Sequence, residues 1–120
     1  MRMIFPSIFA IVVGSGMIGM WSVSYLSKQI PELESEPVRI KFHLAAEFAT
    51  ALLLICSGIA LLTQQSWGIP AYLVAMGMLF YTAMVSPGYF AQKGDWAYVV
   101  MFGAILVLAA VNLFLVVYKL

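Results

Sequence analysis

The stretch from Ile4 to Leu26 contains no Asp, Glu, Lys, Arg or His, and three further segments of comparable length and apolarity follow it. As a helix such a segment rises about 1.5 Å per residue, enough to cross a hydrocarbon core of about 30 Å. Within hydrocarbon each backbone N–H and C=O must find its partner inside the segment or in a closed barrel. Runs this long, joined by turns this short, point to helices. The segments are Ile4–Leu26, Lys41–Thr63, Trp67–Val85 and Trp96–Tyr118. The expected fold class is therefore all-α, an integral membrane bundle of four antiparallel transmembrane helices, forming a single domain over residues 1–120. Composition agrees: 64% of residues are hydrophobic and 9% charged, where a soluble domain carries about 25% charged residues. A chain of this length has little interior in which to hide that much apolar surface.

The first segment is too long for the apolar core of a signal peptide and lacks a clear small-residue cleavage site, so it reads as a retained helix. Pro6 falls in its opening turns, where a missing N–H costs little. Ala10, Gly14, Ser15 and Gly19 form two pairs of small residues spaced four apart, the pattern that lets membrane helices approach closely. Trp21 and Tyr25 read as interfacial aromatics. Ser27 to Lys41 is the one conspicuously hydrophilic stretch, holding Lys28, Glu32, Glu34, Glu36, Arg39 and Lys41. Pro31 and Pro37 argue against a continuous helix there, and the alternating glutamates read as solvated. Gln64-Gln65-Ser66 makes a tight hairpin between the second and third helices. Ser86-Pro87-Gly88 is expected to break the third, with a loop to Asp95. Asp95 suits the N-terminus of the fourth helix, and Lys119 serves as an interfacial anchor.

Lys28, Arg39, Lys41 and Lys93 fall on the loop side, Arg2 and Lys119 on the side of the termini. This bias places the termini outside and the two larger loops in the cytoplasm of a cell membrane. Partners are then the lipid bilayer and a homo-oligomer or larger membrane complex. The net charge of +1 with scattered cations gives no footprint for nucleic acid. Cys56 is the lone cysteine. It excludes an intramolecular disulfide and a cysteine-based metal motif, and it reads as a buried, inert thiol.

Polar groups concentrate at the loop end: Trp21, Ser24 and Tyr25, then His43 and Glu47, then Tyr81, Thr82 and Ser86, and finally Tyr89, Gln92, Lys93, Asp95, Trp96 and Tyr98. On the second helix His43, Glu47, Thr50, Leu54, Ser57 and Gly58 recur at three- and four-residue steps and share one face. That face should turn inward, because an ionised carboxylate toward lipid is expensive. Glu47 lies about 9 Å along the axis from Lys41, too deep to reach water easily. It must be protonated or paired, with His43 one turn above and Tyr81, Lys93, Lys41 and Tyr25 in range. The ligand- or proton-binding candidates are His43, Glu47, Tyr81 and Lys93. The competing reading is that Glu47 hydrogen-bonds a Tyr, Ser or Thr of another helix and fixes the packing.

One histidine and one carboxylate are too few for a metal site, and no second histidine offers a haem ligand. No catalytic residue set, metal site or cofactor is expected. Asn112 reads as an interhelical hydrogen-bond group, and the methionines as flexible filling. In size, and in carrying a single intramembrane glutamate, the chain resembles the small multidrug transporters. Those carry the glutamate in the first helix, whereas Glu47 is in the second. The leading expectation is a binding or accessory subunit with a polar pocket around His43 and Glu47. The alternative is a small proton-coupled transporter using Glu47. A membrane enzyme acting on a lipid or quinone, with the pair as acid and base, is the third.

Overall fold

The computed structural model describes residues 4–27 and 32–118. Lys28, Pro31 and Lys119 lie outside the described residues. Five helices follow in order: α1 (Ile4–Leu26), α2 (Glu32–Ser35), α3 (Pro37–Leu62), α4 (Gly68–Gln92) and α5 (Trp96–Tyr118). Four of them, all but the one-turn α2, are long and apolar enough to cross a membrane. The longest dimension is 48 Å, close to the roughly 40–45 Å of a bilayer with its headgroups.

Two helix boundaries differ from those expected, both through proline. Pro37 opens α3 instead of interrupting the chain before Lys41. The first helical position needs no N–H, and the fixed φ of proline is already helical. Arg39 and Lys41 therefore belong to α3, and α2 takes up part of the hydrophilic stretch. In α4, Pro87 sits inside a helix that continues to Gln92, where Ser86-Pro87-Gly88 was expected to end it at Val85. An internal proline removes one helical hydrogen bond. Breaking the helix in apolar surroundings would strand many more backbone groups, at several kcal/mol each.

The ends of α3 and α4 share one device. Gln65 N–H donates to the Ala60 carbonyl and Gln64 N–H to that of Leu61; Asp95 N–H donates to Phe90 and Gly94 N–H to Ala91. These are Schellman closures, which require a left-handed residue after the cap. Gly94 supplies it at φ 78°, and Gln64 adopts it at φ 60°.

α1 and α3 interlock through two notches. A Cβ on Gly14 would lie 2.7 Å from the Ala51 carbonyl oxygen, and one on Gly58 would lie 2.8 Å from that of Ser7. Small residues thus let the backbones touch, with Ala10 and Ala51 fully buried beside them. Contacts run in reverse order along the two helices: Ser7 with Gly58, Gly14 with Ala51, and Trp21 with Glu47. One apolar cluster, including Leu54, Tyr72, Met76 and Ala109, fills the half of the bundle away from that last contact. A second, including Trp21, Leu44, Phe90 and Phe102, packs around it.

Two further expectations are corrected. Cys56 is exposed on the outer surface of α3, because the buried stripe of that helix runs through Leu54, Ser57 and Gly58. Asn112 is fully buried but donates 2.7 Å to the Leu108 carbonyl of its own helix. Its Oδ1 finds no partner among the described residues, so it does not tie two helices together.

Candidate functional site

The inward stripe of α3 is the one its spacing predicts: Glu47, Thr50, Leu54, Ser57 and Gly58 are all buried. The two hydroxyls on it serve their own helix, Thr50 donating to Ala46 and Ser57 to Leu54. Glu47 is different. Its side chain is only 1% exposed, and both oxygens accept hydrogen bonds from other helices. Trp21 of α1 donates its indole N–H to Oε2 at 3.2 Å. Ser86 of α4 donates its hydroxyl to Oε1 at 2.7 Å, the usual length for a hydroxyl donor.

His43 stands one turn nearer the helix start, its Nε2 3.6 Å from Oε1 of Glu47. That separation is too long for a hydrogen bond, and the two groups attract as an ion pair only when the imidazole is protonated. The Nε2 atom is buried, while the side chain as a whole keeps 23% exposure. The Trp21 ring meets the imidazole edge-on at 5.3 Å and lies 5.8 Å from Phe90. Phe90 in turn stacks on Tyr98 and Phe102 of α5. This aromatic wall, typical of edge and offset ring packing, encloses the carboxylate on the side away from α3.

Above the pair a cavity of about 440 Å³ opens between α3 and the end of α4. Glu36, Arg39, Ile40 and His43 line it from one side, and Val85, Gly88, Gln92 and Lys93 from the other. Glu36 and Arg39 form a salt bridge at 3.2 Å on its exposed rim. His43 both lines this pocket and stands against Glu47.

The sequence-based site is thus partly assembled. His43 and Glu47 are adjacent, and Lys93 shares the pocket with His43. Tyr81 does not join them: it is 69% exposed on the outside of α4. Five helical residues separate it from Ser86, which turns it about 140° away from the face that meets Glu47. Tyr25 likewise points outward. Trp21 and Ser86, which the sequence places among the polar groups of the loop end but not among the binding candidates, are the two donors to Glu47, and a serine of another helix is one of the partners that the packing reading of Glu47 named. Spacing held the missing signal. Ala10, Gly14, Met17 and Trp21 lie on one face of α1, and Tyr72, Ala75, Leu79, Ala83, Ser86 and Phe90 on one face of α4, at steps of three and four.

The arrangement can hold a proton or a fixed negative charge beneath an open pocket, and two cationic groups and an amide at its rim can orient a polar molecule. Among the described residues no cluster of three or more metal-ligating side chains occurs. No curated protein and no solved structure matches the chain. A family model described as a domain of unknown function matches residues 1–120, so the chain belongs to that family, DUF8058.

Proposed function

We propose that the chain is an integral membrane protein of four antiparallel spanning helices that holds a proton on Glu47 and a small polar or amphipathic ligand in the pocket above it. One observation carries this reading: a carboxylate 1% exposed, bonded from α1 and α4, stands directly under an open polar pocket. Ionisable residues at membrane depth are costly and cluster at ion, proton and ligand sites. A carboxylate needed only for packing would not require a pocket at its door. The excess of Lys and Arg on the loop side supports a pocket at the cytoplasmic face of the cell membrane, with the termini outside.

A second reading, proton-coupled transport, draws on the same geometry. Glu47 joins three helices, so a change in its protonation alters bonds that hold α1 and α4 to α3. Movement of one pair against the other would then open the site to alternate sides.

The test uses Trp21 as reporter. With Trp67 and Trp96 replaced by Phe, Trp21 is the sole indole, and its N–H sits on Glu47. In nanodiscs its emission should titrate with pH in the otherwise native chain and lose most of that response in Glu47→Gln. A response that Glu47→Gln leaves intact would refute the proton reading. For the ligand, a Cβ at Gly88 has no neighbour within 4 Å, so Gly88→Leu adds bulk to the pocket wall from an open position. Mass spectrometry of molecules retained by the purified protein should show one that this variant loses; identical retention would refute the pocket as its site.

A further inference from the structure

We infer that His43 is the proton relay between the pocket and Glu47, so that a molecule seated in the pocket also closes Glu47 to protons. This rests on the reading of Glu47 as a proton-holding group. The indole of Trp21 covers one carboxylate oxygen and the Ser86 hydroxyl the other. An indole N–H can donate but has no lone pair with which to accept a proton. Val85 and Gly88, which flank Ser86 and Pro87 on the pocket wall, offer no titratable side chain.

The imidazole is suited to the task. It lines the pocket, its Nε2 is buried 3.6 Å from Oε1, and a sub-ångström shift brings that pair into hydrogen-bond range. Starting from the Nε2–H tautomer and an ionised carboxylate, a proton taken by Nδ1 from hydronium in the pocket, which is left as water, and a second released from Nε2 to Oε1 leave the ring neutral and the carboxyl protonated. No electron pair leaves the system, and the ring returns to use by exchanging tautomers. Trp21 of α1 faces the ring edge-on. Among the described residues the charged groups that line the pocket with it are Glu36 just before α3, Arg39 of α3 and Lys93 following α4. α5 contributes no pocket-lining residue among those described.

The experiment is a stopped-flow pH jump on nanodisc-embedded protein with Trp21 as the sole indole, the Glu47→Gln trace marking the share of the signal owed to the carboxyl. His43→Ala should slow the Glu47-dependent relaxation at least tenfold. Free imidazole, which the vacated side chain leaves room for, should restore it while leaving the native rate unchanged. His43→Gln should be equally slow, since its amide can hydrogen-bond but cannot carry a proton; it also keeps the test alive if the alanine variant folds poorly. Relaxation at the native rate in either variant overturns the relay, as does slowing that imidazole does not relieve. A native chain with no Glu47-dependent signal overturns the proton reading of Glu47 itself and the relay with it, which separates the two failures.

Discussion

At the scale of single residues, the decisive feature is that both oxygens of Glu47 are committed to donors on different helices. Deleting Ser86's hydroxyl as Ser86→Ala removes the 2.7 Å bond and leaves a buried oxygen short of a donor. Interhelical bonds in membrane proteins are worth about 0.6–1.7 kcal/mol, so a loss in that range is expected. Trp21→Phe removes the other bond and part of a ring that is 1% exposed, and should cost more, about 1–4 kcal/mol, since a cavity is added to the lost bond. Because the two donors share one carboxylate, the double variant should depart from additivity by at least about 0.5 kcal/mol. Reversible unfolding in mixed micelles measures all three. Strict additivity would show that the two bonds act independently and that Glu47 does not couple α1 to α4. The glutamate itself was legible in the sequence, because one carboxylate in an apolar run has few places to go. A hydroxyl of another helix was legible as one possible partner; that it would be Ser86, joined by the Trp21 indole, was not. Which donor reaches it depends on how α1 and α4 are rotated and slid against α3, and no short-range pattern encodes that register.

Among the elements, the closest fit is between α1 and α3, and here the small-residue pattern has to be divided. Gly14 occupies a notch against Ala51 and Ile55, whereas Gly16 and Gly19 would each place a Cβ in open space. Gly14→Ala drives that carbon into backbone and should destabilise the bundle by about 1–3 kcal/mol, the range for overpacking. Gly16→Ala should be neutral or gain up to about 1 kcal/mol from helix propensity. The same micelle unfolding series reads both, and equal effects at the two positions would sink the notch. Spacing alone treats Gly14 and Gly19 alike, since it gives a face and not the neighbour across from it. Proline misled at this scale for a related reason. Local rules for Pro37 and Pro87 favour an interruption, but in α4 the need to satisfy backbone polar groups in apolar surroundings overrides them. That continuation carries Ser86 to Glu47 and Gln92 to the pocket.

For the molecule as a whole, length, turns and charge converge on a sidedness that can be tested. Four helices can each cross a membrane. The α3–α4 connection is a Schellman turn without a Lys or Arg, and the α4–α5 connection carries Lys93. Arg39 and Lys41 stand in the opening turns of α3, at the same end as the pocket. If all four helices span, Gln65 and Asp95 lie on opposite sides of the bilayer, and the cation bias puts Asp95 inside. In a Cys56→Ser background, Gln65→Cys should react with a membrane-impermeant maleimide on intact cells, and Asp95→Cys only after permeabilisation. Both positions avoid the left-handed residues Gln64 and Gly94, so the turns keep their closures. Native Cys56, exposed on the flank of α3 about 9 Å from its last residue along the axis, faces hydrocarbon in this arrangement. It should resist the impermeant reagent even in permeabilised cells while accepting an apolar one. Labelling of Gln65→Cys and Asp95→Cys from the same side would rule out four crossings, and the reverse order would put the pocket outside. The relay would then draw its protons from the external medium, which ties the direction of any proton traffic through His43 to this one measurement.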